Sequence, residues 1–501
     1  MILATHIIPL FVAIPLAGSF ITAIVGKRVK WMPDFMGGLT TFVLLVGAVA
    51  SVRIVNVYGV LVYSVGAWKA PIGIAMVLDG LTAFMLVTVN LVAFFVSLYA
   101  VNYMEHFTSK WKFYTLFLLM VAGMNGVVVT GDMFNLFVFL EIASVASYAL
   151  VAFGTEKHEL EAAFKYAVMG TVASLFILLG IAILYSFTST LNMADMANVL
   201  AAKNSENIVL MISVLFLMGF GLKAALVPFH AWLPDAHPSA PAPISAMLSG
   251  ILIKALGIYA LCRIFYNVIG VNASISAILM FLGTLSMVVG GLLALGQWDF
   301  KRLLAYSSIS QIGYIILGIG LGTPLGVLGG LFHLFNHSVF KSLLFLNSGA
   351  VVYATGTRDL KKMGGLAAKM PVTATTGLTA SMSVAGVPPF SGFWSKLLII
   401  IALVEAGRFG YAFWAALIGI LTLAMYLKVV KYAFFGTLRD RWSGIKEVPF
   451  FMRLSMIALA FICLAGGVLL IPGLAGIFLD RARDVIMGGL DYADLVLSNI
   501  Q

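Results

Sequence analysis

Of the twenty Asp and Glu residues, nineteen fall between apolar runs, at their ends or in the C-terminal tail. Glu141 does not. It sits in D-M-F-N-L-F-V-F-L-E-I-A-S, nine residues past Asp132, and so about 13 Å into an apolar segment at the ~1.5 Å rise of a helix. An ionisable group near a bilayer centre costs at least ~2.5 kcal/mol and marks a functional site by default. Four lysines are misplaced in the same way: Lys223 in G-F-G-L-K-A-A-L-V-P-F-H, Lys254 in S-G-I-L-I-K-A-L-G, Lys341 in H-S-V-F-K-S-L-L and Lys396 in F-W-S-K-L-L-I-I. Snorkelling of the ammonium to the interface suits Lys341 best and mid-span Lys254 least. Lys223 lies beside Pro228, and Lys396 beside Pro388 and Pro389, where unwound backbone can hold charge and water. His333, His337 and Lys341 recur at i, i+4 and i+8, on one helix face. Histidine passes a proton in either direction near a pH of about 6.5. The chemistry such a set can perform is proton relay.

Other chemistries fit less well. Two histidines one turn apart cannot hold opposite faces of a haem iron. Zinc through His230, Asp235 and His237 matches no closed tetrahedral spacing. The chain has no P-loop, no convincing dinucleotide fingerprint, no CxxC and only two cysteines, Cys262 and Cys463. No metal and no cofactor is assigned. Energy for any transport comes from an ion gradient or a partner.

The elements that position these residues are helices in a membrane. The 501 residues are 62% hydrophobic and 10% charged, against ~25% charged in an average soluble chain. Apolar runs predict fourteen spans: 7–26, 36–57, 78–100, 113–130, 133–153, 164–187, 208 to a break at Pro228, 244–266, 273–295, 302–321, 325–352, 371–404 broken at Pro388–Pro389, 409–435 and 451–472. A polar amphipathic tail follows. The net charge of +10 is held in short clusters between spans, such as Lys301–Arg302 and Arg358–Lys361–Lys362, rather than in a stripe interleaved with aromatics. That is a topology signal and not a nucleic-acid face. Loops after spans 1, 3, 5, 9, 11 and 13 carry most of the Lys and Arg. The other set holds Arg53, Lys69, Lys203, Arg263 and Arg408, with Arg481 and Arg483 in the tail. Both termini are thereby expected outside.

Spans 7 and 12 break at V-P-F-H-A-W (227–232) and P-P-F-S-G-F (388–393), each with a lysine nearby. Paired Pro-interrupted spans in two halves point to a transport site. The expected organisation is residues 1–110 as three N-terminal spans, 111–267 and 268–436 as two five-helix repeats, and 437–501 as the last span and tail.

Two motifs extend this. L-L-A-Y-S-S-I-S-Q-I-G-Y (303–314) includes Ser307, Ser308 and Gln311. L-K-A-A-L-V-P-F-H-A-W-L-P-D-A-H-P-S-A-P-A-P-I-S-A-M-L-S-G (222–250) includes His230 and His237. They resemble the signatures of the antiporter-like, proton-translocating membrane subunits. That family includes the large subunits of Mrp-type sodium/proton antiporters and their relatives in respiratory complex I and membrane-bound hydrogenases. The resemblance runs from span 3 to span 13. It implies an all-α polytopic membrane protein of about fourteen transmembrane helices, in two inverted repeats with helices 7 and 12 broken. It also implies a hydrated midplane row in which Glu141 pairs with Lys223, followed by Lys254, His333 and His337, and ending at Lys396. His230, His237, Lys341, Ser307, Ser308 and Gln311 would support the row. A lysine rather than a glutamate at 396 points toward the Mrp D-type branch and its hydrogenase relatives. The implied partners are other antiporter-like and small Mrp-type subunits, a peripheral iron–sulfur or hydrogenase module in redox-driven relatives, and the bilayer of a prokaryotic cell membrane.

A Glu–Lys pair in a low dielectric is a two-state switch. Paired, both groups stay charged; separated, desolvation favours the neutral form of each, and a proton is driven along the row. A sequence of cations repels Na+ and can still relay H+. The competing readings are a stand-alone carrier of an organic solute, which would want polar groups shaped around one molecule, and an inert scaffold, which would have lost some ionisable positions.

Overall fold

In an apolar slab, backbone N–H and C=O groups can bond only to one another, so a chain of this composition spans as helices. A computed structural model describes residues 2–107, 109–203 and 206–499. Among them, twelve helices are long and apolar enough to cross a membrane. After a single helical turn at Ile2–Thr5, the first six long helices are α1 (Ile7–Val25), α2 (Met32–Tyr58), α3 (Gly80–Tyr103), α4 (Lys110–Val129), α5 (Met133–Val151) and α6 (Lys157–Thr188). A short helix, α7 (Met193–Lys203), precedes α8 (Glu206–Lys223). After a break come α9 (Leu233–Ser239), α10 (Ala242–Ile269), α11 (Ala273–Leu295) and α12 (Phe300–Gly320). α13 (Pro324–Thr355) is richer in polar side chains, and α14 (Pro371–Ala385) and α15 (Ser391–Glu405) are two halves of one interrupted span. α16 (Phe409–Phe434) and α17 (Phe450–Leu470) complete the expected spans. The tail forms α18 (Pro472–Ile477), α19 (Leu479–Met487) and α20 (Asp491–Leu497).

Three features depart from the sequence expectation. Residues between α2 and α3 form an antiparallel hairpin, β1 (Leu61–Ser64) with β2 (Ala75–Leu78), so the fold is helical with one small sheet. α6 starts well before residue 164, because Glu156 and Glu159 form a capping box at its first turn. α7 lies where no element is expected.

Two helix starts sit in matching surroundings. Asp132, the N-cap of α5, pairs by a bridge with Asn192, and Met133 N–H bonds Leu191 C=O at 2.9 Å. Asp299, the N-cap of α12, pairs likewise with Asp359, and Phe300 N–H bonds Arg358 C=O at 2.9 Å. Each residue of the second set is displaced along the chain from its counterpart by the same number of residues. The same hydrogen-bond pattern thus recurs in two parts of the chain.

Arg263 corrects the charge map. Counted from the sequence as a loop residue, it lies inside α10, buried, and forms a bidentate pair with Asp79 at 2.7 and 2.9 Å. Thr82, Tyr259 and Asn267 add bonds of 3.2, 3.3 and 3.2 Å, and the Tyr492 ring of α20 lies 4.9 Å from the guanidinium. Asn267 in turn donates to Val485 and Gly489 carbonyls, which pins the tail to α10. Removing one partner strands a buried charge at ~3–5 kcal/mol, whereas neutralising both is far milder. Asp79→Asn is therefore expected to lower the thermal midpoint of the purified protein strongly, and the Asp79→Asn/Arg263→Met pair to recover most of the loss. Equal midpoints for the single and double variants would contradict this account.

Candidate functional site

The first charged pair forms where α8 ends. Lys223 is the last residue of α8, and its ammonium lies 3.7 Å from Glu141 Oε1 on α5. Lys223 also donates to Ser144 Oγ at 2.9 Å. Ser174 of α6 donates a short hydrogen bond to the same Oε1. The pair is unevenly covered: the Lys223 side chain is 5% exposed and that of Glu141 is 32% exposed. Glu141 has the expected depth along its helix but faces outward, in an apolar stripe with exposed Phe134, Val138 and Val145. Every bond that the described residues make to its carboxylate falls on Oε1.

Lys254 is fully buried on α10. Its ammonium donates a short bond to Ser249 C=O, and Ser249 Oγ lies 2.7 Å from Ser308 Oγ on α12. α10 is wound wide, in the π manner, over Leu248–Leu252, Lys254–Tyr259 and Phe265–Ile269. Such windings free carbonyls from the regular ladder and collect at functional sites. Gly257, one turn past Lys254, lies against the break: a Cβ there would fall 2.7 Å from Ala224 N. The bare glycine lets the Lys254 turn touch the residue that follows Lys223.

The second half of the row lies on α13. His333 and His337 have parallel rings 6.3 Å apart. His333 Nδ1 meets Ser395 Oγ at 2.9 Å and Nε2 meets Gln311 Oε1 at 3.2 Å. Both ring nitrogens of His337 are buried without a hydrogen-bond partner among the described residues. Lys396 donates to Val384 C=O at 2.8 Å, in the last turn of α14, and its ammonium lies 4.8 Å from the Tyr314 ring. The break at Pro388–Pro389 ends α14 and so leaves that carbonyl free to receive a cation.

Lys341 corrects the snorkelling expectation. It is fully buried and donates to Leu304 C=O at 3.0 Å, Ser307 Oγ at 2.8 Å and Tyr426 OH at 3.0 Å. Ser307, Ser308 and Gln311 thus all touch members of the row or their partners. His230 and His237 are less tied in. Among the described residues His230, in the helix break, has no partner for Nδ1, and fully buried His237 has none for either ring nitrogen and lies beside Trp232 and Phe345. Asp235 turns the other way, to Lys165 at 3.2 Å and Arg302 at 3.6 Å. Among the described residues no three His, Cys, Asp or Glu lie together as metal ligands would. Sequence reasoning missed Lys301, counted as a topology charge. It is buried and donates to Ala240 C=O at 2.7 Å. The signal available was its place at the start of a span, two residues past the Asp299 cap.

With this geometry in hand, the comparisons are informative. Residues 130–423 match the family model described as NADH:quinone oxidoreductase/Mrp antiporter, transmembrane. Residues 61–114 match that of the complex I chain 5 N-terminus. A D-type Na(+)/H(+) antiporter subunit of Alkalihalophilus pseudofirmus is 38% identical over 76% of this chain and 78% of its own. Among solved structures, the chain is similar to one in the Mrp complex of Dietzia sp. DQ12-45-1b, with TM-score 0.91, 29% identity and full coverage of both chains. It is also similar to one in an archaeal membrane-bound sulfane sulfur reductase, with TM-score 0.89, 31% identity, and 98% and 99% coverage. The contact of α10 with the break is open to direct test. Gly257→Ala puts a methyl group 2.7 Å from backbone, an overpacking that costs ~1–3 kcal/mol. Gly221→Ala meets nothing nearer than 3.6 Å. Thermal unfolding should show a lowered midpoint for the first and none for the second; the reverse order would refute the contact.

Proposed function

The chain belongs to the NADH:quinone oxidoreductase/Mrp antiporter family of membrane subunits, and on that footing we propose that it conducts protons along the row from Glu141 to Lys396 within a multisubunit membrane complex. It is a multi-pass membrane protein. The observation that carries the proposal is the row itself. Lys223, Lys254, Lys341, His333, His337 and Lys396 are buried together in a chain otherwise free to fill those positions with apolar side chains. Buried charge is costly, and these groups are strung across several helices rather than gathered round one solute-sized cavity.

The chemistry follows from the partners. Lys223 stands 3.7 Å from Glu141 as an ion pair. Separating them favours transfer of a proton to or from each. Lys254 has a single backbone acceptor among the described residues, so its ammonium is thinly solvated. His337, whose ring nitrogens have no partner among the described residues, can accept on one and release from the other. At His333, Oε1 of Gln311 faces Nε2, which makes Nε2 the N–H donor and leaves Nδ1 to exchange a proton with Ser395, the neighbour of Lys396. Interacting groups of this kind titrate together rather than singly. Any sodium path lies in another subunit or at an interface, because hard cations want several oxygen ligands and this row offers one carboxylate.

The complex is of the Mrp cation/proton antiporter type or a redox-driven relative, with neighbouring antiporter-like and small membrane subunits, and the chain contributes ion translocation rather than redox catalysis. The matched hydrogen bonds at Met133 and Phe300 support repeats over 111–267 and 268–436, flanked by 1–110 and 437–501. The loop Lys and Arg distribution supports a prokaryotic cell membrane with both termini outside. The test is proton movement in vesicles holding the intact complex. Glu141→Gln, Lys223→Ala and Lys254→Ala are each expected to lower it at least ~10-fold, at unchanged subunit composition, since a positioned proton-transfer group contributes about 10²–10⁴. Wild-type rates in Glu141→Gln and Lys223→Ala together would refute the proposal, as would recovery of the chain alone from mild detergent with solute uptake intact.

A further inference from the structure

His333 differs from its neighbour His337 in having a partner at each ring nitrogen. Ser395 Oγ of α15 lies 2.9 Å from Nδ1, and Gln311 Oε1 of α12 lies 3.2 Å from Nε2. All three side chains are fully buried. The imidazole is also held by its faces. The Tyr314 ring lies 5.6 Å away, the Phe340 ring 6.1 Å and the parallel ring of His337 6.3 Å, centroid to centroid. Turning the imidazole over to exchange its nitrogens would disturb all three contacts. A change in which nitrogen carries the proton therefore has to be met by the partners.

Both partners are groups that can meet it. A hydroxyl donates or accepts, and Ser395 Oγ also lies 3.1 Å from Gly392 C=O. With Nδ1 bare, Ser395 gives its hydrogen to the ring. With a proton on Nδ1, Ser395 Oγ accepts it and turns its own hydrogen to Gly392 C=O. Gln311 has the same freedom by another route. An amide carries an acceptor at one end and two donors at the other. The oxygen faces the ring, while the amide nitrogen is buried with no partner among the described residues. A half-turn of the amide places the nitrogen where the oxygen was, and the two ends are alike in shape. One end meets His333 before and after the turn, and no bond from the other end to the described residues has to break.

We propose that Gln311 is a turning partner of His333, presenting its oxygen to a protonated Nε2 and its nitrogen to a bare one. The inference rests on the relay reading above and makes Gln311 a positioning residue. In the Nε2–H form the amide oxygen accepts and Ser395 donates. A proton arriving along the row adds at Nδ1, and Ser395 turns its hydrogen to Gly392. The imidazolium then has two acceptors, Gln311 Oε1 and Ser395 Oγ. Loss of the Nε2 proton to the row leaves the Nδ1–H form, and the amide turns to donate to Nε2. One proton has arrived and one has left, and the ring is neutral before and after. No form leaves a buried ring nitrogen without a bond, the condition that is costly for a polar group out of water.

The experiment uses the intact complex in vesicles, with isotopically labelled histidine. Solid-state nuclear magnetic resonance separates Nδ1–H, Nε2–H and doubly protonated rings, and the His333 signals are those lost in His333→Ala. The wild type is expected to show both neutral forms at His333. Gln311→Glu keeps the size and the acceptor and loses the donors. It is expected to hold Nε2 protonated, to remove the Nδ1–H form and to slow proton movement at least ~10-fold, at unchanged subunit composition. A packing role, or a fixed acceptor role, would leave that rate in place. Gln311→Met keeps the length and has no donor, should be as slow, and carries the test if Gln311→Glu does not assemble. One neutral form alone in the wild type would overturn the turning amide. So would a wild-type rate in Gln311→Glu (or, in that case, in Gln311→Met) beside a slow Lys254→Ala, which leaves the relay standing. Wild-type rates in Lys254→Ala and Glu141→Gln as well would overturn the relay itself.

Discussion

A lysine ammonium taken out of water has to be solvated again by the protein, and in this fold that requirement decides where helices stop, widen and cross. Lys223 is placed at the end of α8, where the chain has left the helical path and a serine and a carboxylate can be brought to it. Lys396 is met by the last turn of α14, whose carbonyls are open because the span is cut in two. Lys254 sits in a helix wound wide enough to turn a carbonyl inward. Lys341, in an unbroken helix, draws its three acceptors from α12 and α16 instead. Four lysines thus have four local solutions, and three of them are departures from the straight, regular helix that an apolar slab otherwise favours.

Set against these, the Asp79–Arg263 pair shows what complete solvation looks like. The guanidinium has two carboxylate bonds, three further acceptors and a ring face. Nothing about it is poised: its charge is permanent and its surroundings are saturated. The groups of the row are the opposite. Lys254 has one acceptor, His337 has none among the described residues, and Glu141 uses one oxygen of two. Under-solvation sets the groups of the row apart from the groups that hold the structure together.

The depth of the row was legible in the sequence because an apolar background turns each ionisable residue into an exception. Glu141, Lys223, Lys254, Lys396 and the His333–His337–Lys341 face could be picked out on hydropathy and spacing, and the two proline breaks with them. What could not be read was direction and partnership. A window of neighbouring residues does not contain Asp79 when it covers Arg263, nor Ser307 and Tyr426 when it covers Lys341. Arg263 therefore looked like a loop charge and Lys341 like a snorkelling one, and Lys301 passed for topology. The hairpin between α2 and α3 was hidden for a related reason: its strands are four residues each, too short for alternation to stand out beside long apolar helices.

The uneven cover of the row gives it a polarity of its own. At one end Lys396 is enclosed by helices of this chain; at the other, Glu141 keeps a third of its side chain on the outer surface. The chain therefore fixes the dielectric around one terminus and leaves that of the other to its surroundings. Lipid against Glu141 would starve the carboxylate of solvation, and a polar neighbour would supply it. Either way the boundary condition is imposed from outside at one end only. A disturbance of that kind has a defined place to begin, and the wrapped end sets where it must be absorbed.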